Sequence, residues 1–258
     1  MFRVLFSLLA ALSFSAAASA QLPEPLGAAL SNRPEDITPE RVALRMTVNR
    51  QSILVEIRPD ETEDSQRYTL LQPASADNLT EEQVEMWAGF GGGASAEAED
   101  SPDSAPGESY SVGAFDADSL RRAIGGSAQL EREAGPLLIY SFQPQSLPGQ
   151  GGQAGERQAL LDNLAGEIEI DAERNQVAAV RFALTDSFKP HLAARLREFT
   201  LEQRFVHEPV LGGPRFSGLT MSMAGSAVFQ PFSQTMEIEL VSVRYPGAVA
   251  LEAGAESP

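Results

Sequence analysis

The sequence contains no cysteine. Disulfides and cysteine-ligated metals are therefore excluded. So is the lipid anchor that a bacterial lipoprotein carries on a cysteine at its cleavage site. Cations are scarce: 19 Lys and Arg stand against 36 Asp and Glu, a net charge of -17 at pH 7. Nucleic acid and anionic lipid headgroups repel a chain with that balance, and no local run of basic residues offsets it. Long apolar runs are missing beyond the N-terminal segment, so no stable membrane span of about 20 residues is expected. Histidine is nearly absent. His191 and His207 sit in separate polar contexts, "KPHLA" and "VHEPV", without the spacing of helical metal ligands. His207-Glu208 does not continue into the H-E-x-x-H zinc-protease pattern.

Catalytic signatures are missing too. No G-x-S-x-G occurs, so the usual hydrolase elbow is excluded. Ser226, in "AGSAV", falls within a strand-like run and reads as structural. The glycines of "GFGGGA" (89–94) follow a helical pattern and not a strand, which is the wrong setting for a dinucleotide fingerprint. "DAERNQVAAVRF" (171–182) starts like a calcium loop, but Gln176 stands where that loop needs glycine and Phe182 where it needs glutamate. The acidic runs 60–64 and 97–100 read as solvated charge. Asn78-Leu79-Thr80 matches a glycosylation acceptor, but Thr80 is better explained as a helix cap. No enzyme activity, cofactor or metal is expected.

What is present begins with "MFRVLFSLLAALSFSAAASA". One early cation, Arg3, precedes an apolar run and then Ala18-Ser19-Ala20. That is the layout of a secretory signal peptide over residues 1–20, cleaved before Gln21. The mature chain is then about 238 residues with a charge near -18, exported, soluble and periplasmic. A chain of that size buries roughly 70–75% of its unfolded surface, enough for a core without staples.

Residues 21–37 hold three prolines and little periodicity, and read as a flexible lead-in. A single β-rich domain is expected over 38–245. "RVALRMTVN" (41–49), "QSILVEIRP" (51–59) and "RYTLLQP" (67–73) alternate apolar and polar residues, as a three-strand meander does. "NLTEEQVEMWAGF" (78–90) switches to helical spacing, with Thr80 and Gln83 as a capping box and Val84, Trp87 and Ala88 on one face. The stretch 91–111 is glycine-rich and then acidic, with too little apolar surface to offset its ordering, and is expected to be a mobile loop. A helix capped near Asp116 or Asp118 follows over 115–126, then a strand over 136–144 and a third short helix over 156–164, with Gly166 near its end. Residues 246–258 read as a disordered tail.

The last third is almost wholly β. Strands are expected over 166–171, 177–185 and 198–207, although Leu192, Leu196 and Phe199 also fit helical spacing. Apolar residues alternate along much of "GLTMSMAGSAVFQPFSQTMEIELVSVRY" (218–245), with a bulge or tight turn expected at Gly225. Its apolar parity shifts twice, to Met236, Ile238 and Leu240, then to Val241, Val243 and Tyr245. Each shift implies a bulge or bend, and strands that bend repeatedly belong to curved sheets. Phe199, Leu201, Phe205, Leu219, Met221, Met223 and Phe229 are the candidate lining of an apolar site on the sheet face. Methionine makes an adaptable lining. Alternation alone leaves open whether that face is hollow or filled.

The order "GEIEID", "VRFAL", "FTLEQRF", "GGPRFSGLTMSMAGSAVF" and "TMEIELVSVRY" resembles the lipoprotein-carrier superfamily (LolA/LolB-like). The likeness runs mainly over 166–245, with support from 41–73. It lies in pattern and order, so no residue role is carried over. The resemblance implies an exported half-barrel, a curved antiparallel sheet with short helices over its concave side, and a cavity that takes acyl chains. The expectation is a mainly β (α+β) fold, a curved antiparallel sheet or incomplete barrel with a few short covering helices. Its partner is a lipid or lipoprotein acyl chain held in the concave face. The alternative is an envelope interaction or assembly protein with a solid core, whose acidic loop or sheet edge meets another envelope protein.

Overall fold

Alternation of apolar residues sets the register of the N-terminal meander. In the computed structural model, β1 (Arg41–Val48), β2 (Gln51–Ile57) and β3 (Tyr68–Gln72) pair antiparallel. Val42, Leu44 and Met46 stand opposite Ile57, Val55 and Ile53, and Leu70 stands opposite Val55. All of them therefore share one face, and a slip of one residue would turn the whole set to solvent. The link between β1 and β2 is a two-residue turn. Asn49 and Arg50 both have positive φ, 47° and 79°. Such a turn matches the right-handed twist of the strands.

The structure describes residues 22–61, 67–88, 115–146, 158, 160–191, 194–228 and 230–247. The expected signal peptide (1–20), the acidic loop (91–111), Phe229 and nearly all of the expected tail (248–258) lie outside the described residues.

Helix α1 (Glu24–Ala29) corrects the expectation of a flexible lead-in. Pro25 lies in the first turn, where its missing N–H breaks no helical bond, so it starts a helix instead of preventing one. Leu26, Ala29 and Leu30 recur at helical spacing and are fully buried. Helix α2 (Glu81–Ala88) carries the expected capping box: Gln83 N–H donates to Thr80 Oγ1 at 3.3 Å, and Thr80 N–H to Gln83 Oε1 at 2.9 Å. Gln83 Nε2 also donates to the Ser52 carbonyl at 2.8 Å, which fixes the helix on β2. The inward face therefore turns on Gln83, Met86 and Trp87, while Val84 is left 50% exposed. Helix α3 (Ala117–Ile124) begins at Asp116, whose carboxylate accepts from Ser119 N–H at 2.8 Å.

The remaining strands are β4 (Gln129–Ala134), β5 (Leu137–Phe142), β6 (Leu164–Asp171), β7 (Gln176–Leu184), β8 (Phe188–His191), β9 (Ala194–Glu208), β10 (Gly213–Ala227) and β11 (Gln230–Arg244). The sheet order is β3-β2-β1-β11-β10-β9-β7-β6-β5-β4, with β8 on the flank of β9. All pairs are antiparallel. The fold is mainly β, and the sheet is open, not closed into a barrel. Bulges interrupt the β1–β11, β9–β10, β4–β5 and β6–β7 ladders. Each adds local bend and twist.

The expected helix at 156–164 ends before Leu164. Residues 158, 160 and 161 are helical, and β6 already begins at Leu164. Gly166 is not a helix stop. The Phe142 ring of the neighbouring strand lies against it, and any Cβ would overlap that ring. Of the two readings of the stretch before 198, the strand holds from Ala194 onward.

Candidate functional site

Two filled cores sit on the same face of the sheet. The first joins α1 and α3 to β5, β6, β7 and β9 through Leu26, Leu120, Ile124, Tyr140 and Phe182, among others. The second joins α2 to β1 and β2 through Val42, Leu44, Val55 and Met86. Cross-strand partners carry the face from one core to the other. Phe182 stands opposite Leu201, Leu201 opposite Met221, Met221 opposite Met236, and Met236 opposite Val48. One rung away, Val180 faces Gln203, Leu219, Ile238 and Met46 in succession. Directly opposed residues in an antiparallel pair lie about 5 Å apart and share a side of the sheet.

Between the cores runs a half-buried, mostly apolar strip of the same face, the trough. Leu219, Met221, Met223 and Met236 belong to neither core and remain half-buried. Helix α1 packs on β6 and β7, and α2 on β1 and β2. With strands about 4.8 Å apart and about 3.3 Å per residue, the floor from β9 to β11 is roughly 10 Å wide. Four of the chain's six methionines, Met46, Met221, Met223 and Met236, share this face.

The structure divides the seven candidate residues. Phe205 is 9% exposed and meets Phe115 edge-on, with ring centroids 5.3 Å apart. It is taken up by the first core. Phe199 and Leu201 pack partly against that core and form the wall of the trough. Leu219, Met221 and Met223 form its floor. Phe229 lies outside the described residues. Met236 completes the floor, and the sequence reading had not selected it. The signal was available: counted from the Ala227–Gln230 pair, six steps back and six forward bring Met221 opposite Met236.

The other face is polar and cross-linked by ion pairs, including Arg45–Glu239 at 2.7 Å and Arg204–Glu202 at 2.6 Å. Burial, then the neighbouring Glu167 and Glu202, push the Glu169 carboxyl above its ordinary value. A small concavity of about 170 Å³ is lined by Arg204, Thr220, Glu237 and Glu239 together with Leu219 and Ile238. A second, of about 840 Å³, opens between α1 and α3 beside Ser31 and Arg121. Neither of these concavities is lined by Met221 or Phe205.

His207 Nδ1 lies 3.1 Å from Gln176 Oε1. Among the described residues no three His, Asp or Glu side chains converge as metal ligands. No described helix is long and apolar enough to cross a membrane. No protein-family model, curated protein or solved structure matches the chain.

Proposed function

We propose that the chain is an exported, non-enzymatic protein that holds an apolar ligand, a lipid or the acyl chain of a lipoprotein, along the trough between its two cores. One observation carries this reading. Leu219, Met221, Met223 and Met236 stay half-buried on a mostly apolar face, broken by Gln203 and Gln234, that joins the two helix-covered cores. A sheet that needed only stability would cover the centre first, because the centre has most to gain from burial. Removing about 200 Å² of ligand and floor from water gives roughly 5 kcal/mol before ordering costs, so a longer chain that buries more area is held more tightly. Flexible methionines suit a chain-like ligand of variable length.

The test has two parts. Mass spectrometry of protein purified from native membranes should find bound lipid, and a fluorescent fatty acid should bind saturably. Absence of both overturns the proposal. A second reading, an envelope assembly protein, is favoured by the free edge strand β4, whose residues are all exposed. Such an edge accepts a partner strand. Pull-down that fails when Gln129–Ala134 carries an added proline would support it.

A further inference from the structure

Beyond the ladder rung Val48–Met236, β11 runs six more residues, 230–235, paired only with β10. On the other side β9 passes its last rung with β7, Ala183–Thr200, and pairs with β8 instead. Strands β8 to β11 thus project as a tongue past the body of the sheet. At about 3.3 Å per residue its tip stands about 20 Å beyond the Val48 rung.

This end differs in charge from the rest of the molecule. From Gly218 to Met236 there is no charged residue, in a chain that is 21% charged. Lys189, Arg195 and Arg197 on the neighbouring hairpin outnumber Asp186 and Glu198. Arg50, in the turn beside Thr235, joins them at the same end: Asn49 N–H donates to the Thr235 carbonyl at 3.1 Å. Among the described residues none of these four cations forms an ion pair, whereas most arginines on the body of the sheet do. The sequence hides this grouping because Arg50 and Arg195 are far apart along the chain.

The tip is also apolar and strained. Val228 is 70% exposed and Phe232 37% exposed. Val228 has φ 48°, a conformation that a β-branched residue rarely adopts. Asn or Gly would fit that turn without strain. A strained, solvent-facing valine is hard to explain by folding, and such strain persists where a function uses it.

We infer that the tongue docks the protein on a lipid bilayer carrying anionic headgroups: Val228 and Phe232 enter the interface while Lys189, Arg195 and Arg197 on the tongue meet the headgroups. The net charge of -17 does not forbid this. Charges more than about 8 Å away are largely screened at physiological salt, and the acidic body sits behind a tip about 20 Å long. Apolar insertion combined with a few cations is a recurring form of peripheral attachment. The docking rests on the tongue alone and requires no ligand in the trough.

The full chain is sedimented with vesicles of phosphatidylcholine alone and of phosphatidylcholine with phosphatidylglycerol. Binding to the anionic vesicles is expected. Val228→Asn should weaken it about tenfold while leaving the melting temperature equal or higher, because Asn relieves the backbone. Arg195→Ser/Arg197→Ser should abolish the preference for anionic vesicles. Met221→Arg, which blocks the trough, should leave sedimentation unchanged, so the two proposals fail separately. No sedimentation, unchanged binding by the Val228→Asn protein, or a vesicle-independent dimer that Val228→Asn dissolves would overturn the inference, the last by assigning the tip to a second copy of the chain.

Discussion

Gly225 of β10 lies directly opposite Phe232 of β11, with the Arg195 carbonyl of β9 pressed against its other side. A Cβ at position 225 would overlap the Arg195 oxygen and come within 3.0 Å of the Phe232 ring. The ladder between β9 and β10 shifts register at this point. Gly225→Ala is therefore expected to destabilise the chain by about 1–3 kcal/mol, since the obstructing atom is backbone and cannot swing aside. Urea denaturation measures it, and a midpoint equal to wild type would show that the strands are not so close.

Arg50 has φ 79° in the β1–β2 turn. A side chain costs about 1 kcal/mol there, and glycine removes that cost. Arg50→Gly should raise stability by about 1 kcal/mol, read as a shift of the urea midpoint with an unchanged slope.

Asp116 caps α3. Burial alone would raise its carboxyl, but hydrogen bonds from the Ser119 hydroxyl and N–H, helped by Arg122, outweigh burial and hold it below 3.8. Its contribution is therefore present above the unfolded value and is lost as pH falls through the lower folded value. Asp116→Ala should cost about 1 kcal/mol at pH 7. Asp116→Asn keeps a capping oxygen, so it should recover most of that loss while removing the acid dependence. Melting curves from pH 2 to 7 distinguish the three proteins.

Glu169 shows the opposite sign. Its folded carboxyl titrates above 4.5 because of burial first, then Glu167 and Glu202. The folded state thus holds the proton more tightly than the unfolded one, and stability falls as pH rises from 4.5 through the folded value. Glu169→Gln should be more stable than wild type at pH 7 and no more stable at pH 3. Thermal melts at the two pH values check the crossover.

The strands that alternate against solvent were readable in the sequence. Met46, Val55 and Leu70 fall on one face because a period of two leaves no other solution. Even the bulge near Val241 was announced, as the parity change between Leu240 and Val243. Strand β4 was not legible, because "QLEREA" is exposed along its whole length and has no buried face to mark. Helix α1 was hidden by prolines that serve as its start. In the candidate site the methionines of β10 were visible. Their openness was not, because it depends on where α1, α2 and α3 stop, which is tertiary information. The same limit hid the approach of Arg50 to the tongue.

The central claim is that an apolar ligand lies along the floor formed by β10 and β11. Methyl-¹³C-methionine NMR during titration with a fatty acid tests it directly, because the methionines are few and divide between floor and core. The account predicts saturable shifts of Met221, Met223 and Met236, with Met86, buried on the inward face of α2, unmoved. Floor resonances that stay in place at saturating fatty acid, or shifts confined to Met86, would contradict it.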